Sequence, residues 1–305
     1  MNIDDFKNGT PIPNEQQKIK LGIVGHGFVG KAVDYAFTHE LLEKYIVDPK
    51  YNYSIDDLCK EGPTLTFITA PTPMHDNGTV DALIVEDAVL KLIEHTASIV
   101  VIKSTITPDI INRLYNSIHD QDKNRLTYNP EFLTENNSVE QFIYAPHHIL
   151  GGASIEACNK VSEFYQMFSM CVSTQFFTMT PQEASFVKYA INSFLGMKVT
   201  FFNQLHDAAL DFSCSPQRII NSVSADKRIG FAHTRVPGFD GKKGFGGACL
   251  PKDINALVKY AESNNVELNL IKSVIKTNNR IRESYNSTTD REDEQNINYN
   301  NLEEE

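Results

Sequence analysis

Short apolar runs rich in β-branched residues alternate with stretches of helical period along the first half of the chain. Lys18–Val24 leads into a glycine-rich turn, and a helical pattern follows to about Glu40. Further strand-like runs occur at Tyr45–Val47, Leu65–Ala70, Ile99–Ile102, Leu126–Tyr128, His148–Leu150 and Thr174–Thr178. Val80–His95, Pro108–His119 and Ser154–Phe168 between them carry helical periodicity. Strands alternating with helices predict an α/β domain over residues 18–180, with a doubly wound parallel sheet covered on both faces.

The texture changes at Pro181. Ala184, Val187, Ala190, Ile191, Phe194 and Leu195 recur at helical spacing, and the pattern predicts one long helix from Pro181 to about Asp211. Helices are expected at Pro216–Val223, Pro251–Asn264 and about Leu268–Glu283, with a glycine-rich loop at Gly238–Gly247. Residues 181–283 therefore read as a helical domain built on a long central helix. Residues 1–17 are polar and carry two prolines, as a flexible arm would. Residues 284–305 are rich in Asn, Asp and Glu, which predicts a disordered acidic tail.

Composition narrows the function classes. The chain has 305 residues and is 41% apolar, enough for a real core. Its 39 acidic against 28 basic residues give a net charge of -11 with no basic stripe, which argues against a nucleic-acid partner. No apolar run is long enough for a membrane span, and the first residues carry no secretory signal, so a cytoplasmic protein is expected. Five widely spaced cysteines without a CxxC pair read as reduced thiols, with neither a disulfide framework nor a metal site.

Gly25-His26-Gly27-Phe28-Val29-Gly30 has the G-x-G-x-x-G pattern, directly after a strand and opening a helix. Gly25 would make the tight turn, Gly27 would admit a pyrophosphate, and Gly30 would let helix and strand pack closely. Phosphates would then lie at the helix N-terminus. Asp48 ends the next strand, where a carboxylate grips a ribose hydroxyl and repels a 2′-phosphate, so NAD is expected over NADP. Pro71 and Thr72 follow the strand Leu65–Thr69, at the strand end where ligands bind in this architecture. An ordinary turn with a loop Asp, and a rigid proline loop without contacts, are the plain alternatives.

Four further stretches carry chemistry: Lys103-Ser104-Thr105, Asn129–Glu135, Lys188 with Asn192, and Gly244–Asp253. Cys249 lies just before Pro251, a residue suited to a helix start, so its sulfur would sit at a helix N-terminus that favours the thiolate. The preceding glycines would let a substrate approach, and Asp253 lies one turn on. That is the layout of an activated nucleophile; a small structural cysteine is the alternative. Lys188 and Asn192 share one helix face. Polar groups on an otherwise apolar helix suit a developing oxyanion, whereas a lone lysine on such a helix is usually solvated.

These stretches resemble the UDP-glucose/GDP-mannose dehydrogenase family. The matches are GIVGHGFVG, APTP with the later GTVD, KST, NPEFLTE, FVKYAINSFLGMKVTFFNQ and RIGFAHTRVPGFDGKKGFGGACLPKD, in family order over about residues 19–260. The resemblance implies a Rossmann-like NAD domain and a central helix that builds a homodimer. It implies oxidation of a nucleotide sugar, UDP-glucose foremost, to the uronic acid in two hydride transfers. Cys249 would form a thiohemiacetal and then a thioester. Lys188 and Asn192 would hold the oxyanions, Asp253 would place water or a proton, Glu131 would assist hydrolysis, and Thr105 would order water. Gly25, Gly27, Phe28, Val29, Gly30, Asp48, Pro71, Thr72 and Thr105 would contact the cofactor. Glu131, Phe132, Leu133, Lys188, Asn192, Arg228 and Gly246 would contact the sugar nucleotide, with Arg228 reaching a neighbouring subunit. The family's C-terminal lobe is not matched, so a separate chain supplying a uridine-binding lobe is one expectation. Ile102 stands where many relatives are acidic.

Two other readings compete. A two-electron β-hydroxyacid-type dehydrogenase would also set Lys and Asn four apart on a helix, but it has no need of Cys249. A non-catalytic NAD-binding modulator of a full-length partner would not need the constellation at all.

Overall fold

The computed structural model describes residues 18–285 and 287–299. The arm expected at 1–17 lies outside the described residues, as do residues 286 and 300–305. The described strands are β1 (Ile19–Val24), β2 (Leu42–Val47), β3 (Leu65–Ile68), β4 (Ile99–Ile102), β5 (Leu126–Tyr128), β6 (His148–Gly152) and β7 (Phe176–Met179). They form one sheet in the order β2-β1-β3-β4-β5-β6-β7. All pairings are parallel except β5 with β6, which is antiparallel. The expected all-parallel sheet is corrected at that one junction. A short apolar run reads the same in either direction, so periodicity does not encode strand polarity.

Helices α1 (Phe28–Ala36), α2 (Ile55–Glu61), α3 (Leu83–His95), α4 (Pro108–Ser117), α5 (Ser138–Ile143) and α6 (Ile155–Phe168) connect the strands. Local chemistry sets their ends. Ser54 and Asp57 close a capping box at the start of α2, and Gly62, at φ 63°, ends it. Ser154 accepts the Ala157 N–H at the start of α6. Leu21, Ile23, Phe67 and Val101 of the sheet bury against Val33 and Phe37 from the α1 side and against Phe164 of α6. Each such side chain contributes about 1.5–3 kcal/mol on burial.

The chain divides into two compact units. One comprises residues up to Thr72 together with Ala82–Lys188, and the other Pro73–Asp81 together with residues from Tyr189 onward. The division therefore falls inside the long helix α7 (Pro181–Asp211), after Lys188, and not at Pro181. The second unit continues with α8 (Pro216–Ser224), α9 (Leu250–Ser263), α10 (Asn269–Arg282) and α11 (Asp290–Glu294). Phe245, Ile254, Val258, Val274 and Ile275 form its core, with Met197 and Val199 of α7 against them. Among the described residues, no helix is long and apolar enough to cross a membrane.

The disordered tail expected from residue 284 is corrected over the described residues 287–299. Thr289 and Glu292 close a capping box on α11, and Glu292 is buried. Gln295 accepts the Met74 N–H at 3.0 Å, and the Asn296 side chain donates to the Met74 carbonyl at 3.3 Å. The composition is acidic, but a helix cap and partners for a carboxylate outweigh it.

Candidate active site

In the first unit, Gly25 takes φ 91°, a conformation that side chains resist. The Thr69 hydroxyl bonds the carbonyls of Val24 and Gly25, at 3.1 and 2.6 Å, and so fixes the turn. A Cβ on Gly30 would overlap the Gly25 carbonyl oxygen, so that glycine serves helix–strand packing. A Cβ on Gly27 would meet nothing within 4 Å. Packing therefore does not demand glycine there, and the open space suits a bound group lying against the backbone. Gly27 caps α1, whose first two residues are Phe28 and Val29. Asp48 follows β2; its carboxylate accepts the His26 N–H at 2.7 Å and the Lys50 N–H at 3.0 Å. Partial burial pushes the Asp48 carboxyl up, but those two N–H groups and the Lys50 charge outweigh it and hold it below the ordinary range. An ionised carboxylate beside an open glycine turn fits the ribose and pyrophosphate of NAD.

The loops after β3 and β4 are tied together. The Thr72 hydroxyl donates to the Thr105 carbonyl at 3.0 Å, and the Ser104 hydroxyl donates to Ala70 at 2.7 Å. Pro71 is exposed and Thr105 half-buried at these strand ends.

Glu131 follows β5 and meets Lys188. The Lys188 ammonium donates to the Glu131 carbonyl at 2.6 Å and lies 3.4 Å from Glu131 Oε1. It also sits 5.3 Å from the centroid of the Phe132 ring. The Leu133 N–H donates to Glu131 Oε2 at 2.5 Å, so Glu131, Phe132, Leu133 and Lys188 form one cluster. Lys188 is 3% exposed, which excludes a solvated helix face. Beneath the cluster is a second buried lysine, which the sequence reading quoted but gave no role. Lys103 donates to Asn129 Oδ1 at 2.9 Å, to the Asn129 carbonyl at 3.2 Å and to the Tyr165 hydroxyl at 3.2 Å.

In the second unit, Cys249 is the N-cap of α9, with Leu250 first and Pro251 second in the helix. Pro251 thus stands one position later than a first helical residue. Cys249 is half-buried, and its carbonyl accepts the Asp253 N–H at 2.9 Å. Asp253 is buried between two partners. Asn192 donates its amide to Asp253 Oδ2 at 2.6 Å, and Lys252 donates to Oδ1 at 2.6 Å. Asn192 is thus already bonded to a carboxylate. Lys252 was missed, although it stands inside the quoted GFGGACLPKD motif. Arg228 lies on an exposed turn after α8, its guanidinium bonded to Asp226 at 2.7 Å. Gly246 lies in the loop before Cys249, against Arg282 and Glu292 of its own unit.

Residues 39–169 match the NAD binding domain model of the UDP-glucose/GDP-mannose dehydrogenase family, and residues 182–280 match its central domain model. The UDP-glucose 6-dehydrogenase of Rickettsia felis is 31% identical over 215 residues, 70% of this chain and 47% of that protein. UDP-glucose 6-dehydrogenase YwqF of Bacillus subtilis is 28% identical over 247 residues, 79% of this chain and 54% of that protein. The structure of a UDP-glucose dehydrogenase from Pyrobaculum islandicum aligns with a TM-score of 0.71 at 25% identity, over 88% of this chain and 70% of that one. The chain spans about half the length of the curated relatives it matches. The two matched segments are parts of one family, which carries NAD as its cofactor, and the chain belongs to that UDP-glucose/GDP-mannose dehydrogenase family.

Proposed function

We propose that the chain oxidises a nucleotide sugar, UDP-glucose foremost, from primary alcohol to carboxylate. The single observation that carries this reading is Cys249 at the mouth of α9, one turn ahead of the buried Asp253. A two-electron dehydrogenase has no use for such a sulfur. The balance is one alcohol, one water and two NAD giving one carboxylate, two NADH and three protons.

NAD, when bound, takes up one hydride from the sugar carbon in each of two rounds. Gly25, Gly27 and Gly30, the first turn of α1 and Asp48 would hold it, with Pro71, Thr72 and Thr105 on the neighbouring strand ends. Lys188 supplies the cation for the alkoxide of the first round. The Cys249 sulfur then adds to the aldehyde carbon, forming a C–S bond and a thiohemiacetal. Loss of the second hydride leaves a thioester, and water cleaves its C–S bond and restores the thiol. Glu131 takes the proton of that water. Asn192 and Lys252 fix Asp253, which relays a proton near the sulfur. Phe132 and Leu133 would contact the sugar nucleotide, and Gly246, whose side-chain direction is filled by Arg282 and Glu292, would do so through its backbone alone. A second copy of the chain, packed along α7, would receive Arg228. Reduced thiols would fit a cytoplasmic setting.

The test is the purified chain with NAD and UDP-glucose. Two NADH per UDP-glucuronate support the reading. One NADH per substrate, with the aldehyde released, favours the β-hydroxyacid type of chemistry, and no turnover with intact NAD binding favours a modulator.

A further inference from the structure

The loop that delivers Cys249 contains two adjacent glycines with different surroundings. A Cβ on Gly247 would meet nothing within 4 Å, whereas one on Gly246 would lie 2.6 Å from both Arg282 Cζ and Glu292 Oε1. The space beside Gly246 is thus taken by this chain's own side chains. Glu292 comes from the segment after residue 284, which composition alone marks as a tail.

Glu292 is 0% exposed. A carboxylate removed from water needs hydrogen-bond donors for its oxygens. Oε2 takes the Thr289 N–H at 2.8 Å and the Thr289 hydroxyl at 3.0 Å, and Oε1 takes the Tyr299 hydroxyl. Those three donors belong to the same segment, so its own fold aims the carboxylate. The remaining donor does not: the Gly247 N–H reaches Glu292 Oε1 at 3.0 Å. Gly247 stands at φ 77°, two residues before Cys249. The segment is anchored beyond Glu292 through Gln295 and Asn296 to Met74.

The start of the loop has its own supports. Asn203 accepts the Gly244 N–H at 3.0 Å, Asn278 brackets the N–H and carbonyl of Phe245 at 2.6 and 3.0 Å, and Arg282 donates to the Gly244 carbonyl at 3.2 Å. Phe245 is buried in the core of the unit. These contacts hold Gly244 and Phe245; Glu292 takes over at Gly247, where the chain turns into α9.

We propose that Glu292 is a positioning residue for the Cys249 loop, and that Thr289–Tyr299 is a clasp that fixes the loop's backbone at Gly247. Glu292 acts through the Gly247 N–H and not on reacting atoms. The consequence for turnover rests on the proposed role of Cys249; the placement does not.

Hydrogen exchange of the full chain tests it, read on peptides spanning residues 244–249. Glu292→Ala should speed exchange there by about tenfold or more, with the sheet peptides unchanged. Glu292→Gln keeps an acceptor oxygen and should restore protection to within about threefold of wild type. Tyr299→Phe removes one hydroxyl and serves as the milder variant should Glu292→Ala not fold; it should speed loop exchange by about twofold to fivefold. In turnover, Glu292→Ala should lower kcat by about tenfold while KM for NAD stays within about twofold. Wild-type loop exchange in both Glu292→Ala and Tyr299→Phe, or in Tyr299→Phe alone if the first variant does not fold, would overturn the proposal. Exchange is read without substrate, so a wild-type chain inert towards UDP-glucose would remove the proposed activity while faster exchange in the variants still supported the clasp.

Discussion

Asn192 gives its side-chain amide to Asp253 at 2.6 Å, joining the middle of α7 to the first turn of α9. Asp253 is 1% exposed, and its other oxygen takes the Lys252 ammonium. The carboxylate beside the nucleophile is therefore compensated by one cation and one amide. Removing one member of a buried ion pair leaves a charge unmatched, and Lys252→Met is expected to cost about 3–5 kcal/mol. Asn192→Ala should cost about 1.5–3 kcal/mol, as for other hydrogen bonds to charged groups. Chemical denaturation measures both. A wild-type midpoint in Lys252→Met would mean that the Lys252–Asp253 pair does not stabilise the fold.

Cys249→Ser is expected to stop acid formation from UDP-glucose while NAD affinity is kept, because the nucleotide turn and the sulfur belong to different compact units of the chain. Lys188→Ala should lower kcat by about 100-fold or more, the usual loss for one oxyanion donor. Part of that loss would come from the Glu131 carbonyl, which Lys188 also holds. Steady-state rates with product analysis decide both. Acid formed by Cys249→Ser at the wild-type rate would end the thioester mechanism.

Much of this was legible in the sequence because strong local signals agreed. β4 and β5 have the expected bounds, and α7 runs from Pro181 to Asp211 as its apolar spacing implies. The glycine turn, Asp48, Cys249 and Asp253 stand on the elements that their motifs imply. Short helices escaped: α2 and α5 span seven and six residues, too few for a helical period to declare itself. The polarity of β6 escaped because it is not a local property. Thr289-Asp290-Arg291-Glu292 does carry a cap signature, which the acidic composition masked. Lys103 and Lys252 stand inside motifs that the sequence singles out, but only their burial shows that each is held by buried partners.

Asp48 should make NAD strongly preferred over NADP. Its carboxylate is held ionised by the His26 and Lys50 N–H groups, so a 2′-phosphate would meet a fixed negative charge. Asp48→Ala should narrow the gap, mainly by weakening NAD. Calorimetric titration of both cofactors checks this. Equal wild-type affinities would mean that Asp48 does not face the ribose.

The outer side of α7 points to a second copy. Phe194 and Phe201, two turns apart on one stripe, are 58% and 54% exposed, and Leu210 and Phe212 near the helix end are 54% and 75% exposed. Apolar rings at that spacing on an open helix are the usual mark of an association surface. A homodimer in solution is expected, and Phe194→Asp with Phe201→Asp should yield monomers that still bind NAD. Mass measurement at high concentration decides it. A monomeric wild type would remove both the dimer and the reach of Arg228.

Lys103 gives the last prediction, a dependence of stability on pH. Burial pushes its ammonium down to about 8; the Glu131 and Cys171 side chains oppose this, and the Lys188 charge adds to it. Its other neighbours are Tyr165, whose hydroxyl burial holds well above its ordinary range, and His148, pushed down to about 4 by burial and then by Lys103 itself. Neither changes charge between pH 8 and 10. An unfolded chain keeps this lysine near about 10.4. Between those values the unfolded state binds more protons, so the stability owed to this site rises with pH. Below pH 8 both states carry the proton, and the cost of burying it is fully present. Lys103→Met removes that titration and leaves every other lysine in place. The denaturation midpoint of the wild type should therefore climb relative to Lys103→Met from pH 8 to 10 at matched salt. A constant difference across that window would mean that Lys103 holds its proton as firmly folded as unfolded, and that Asn129 and Tyr165 compensate its charge in full.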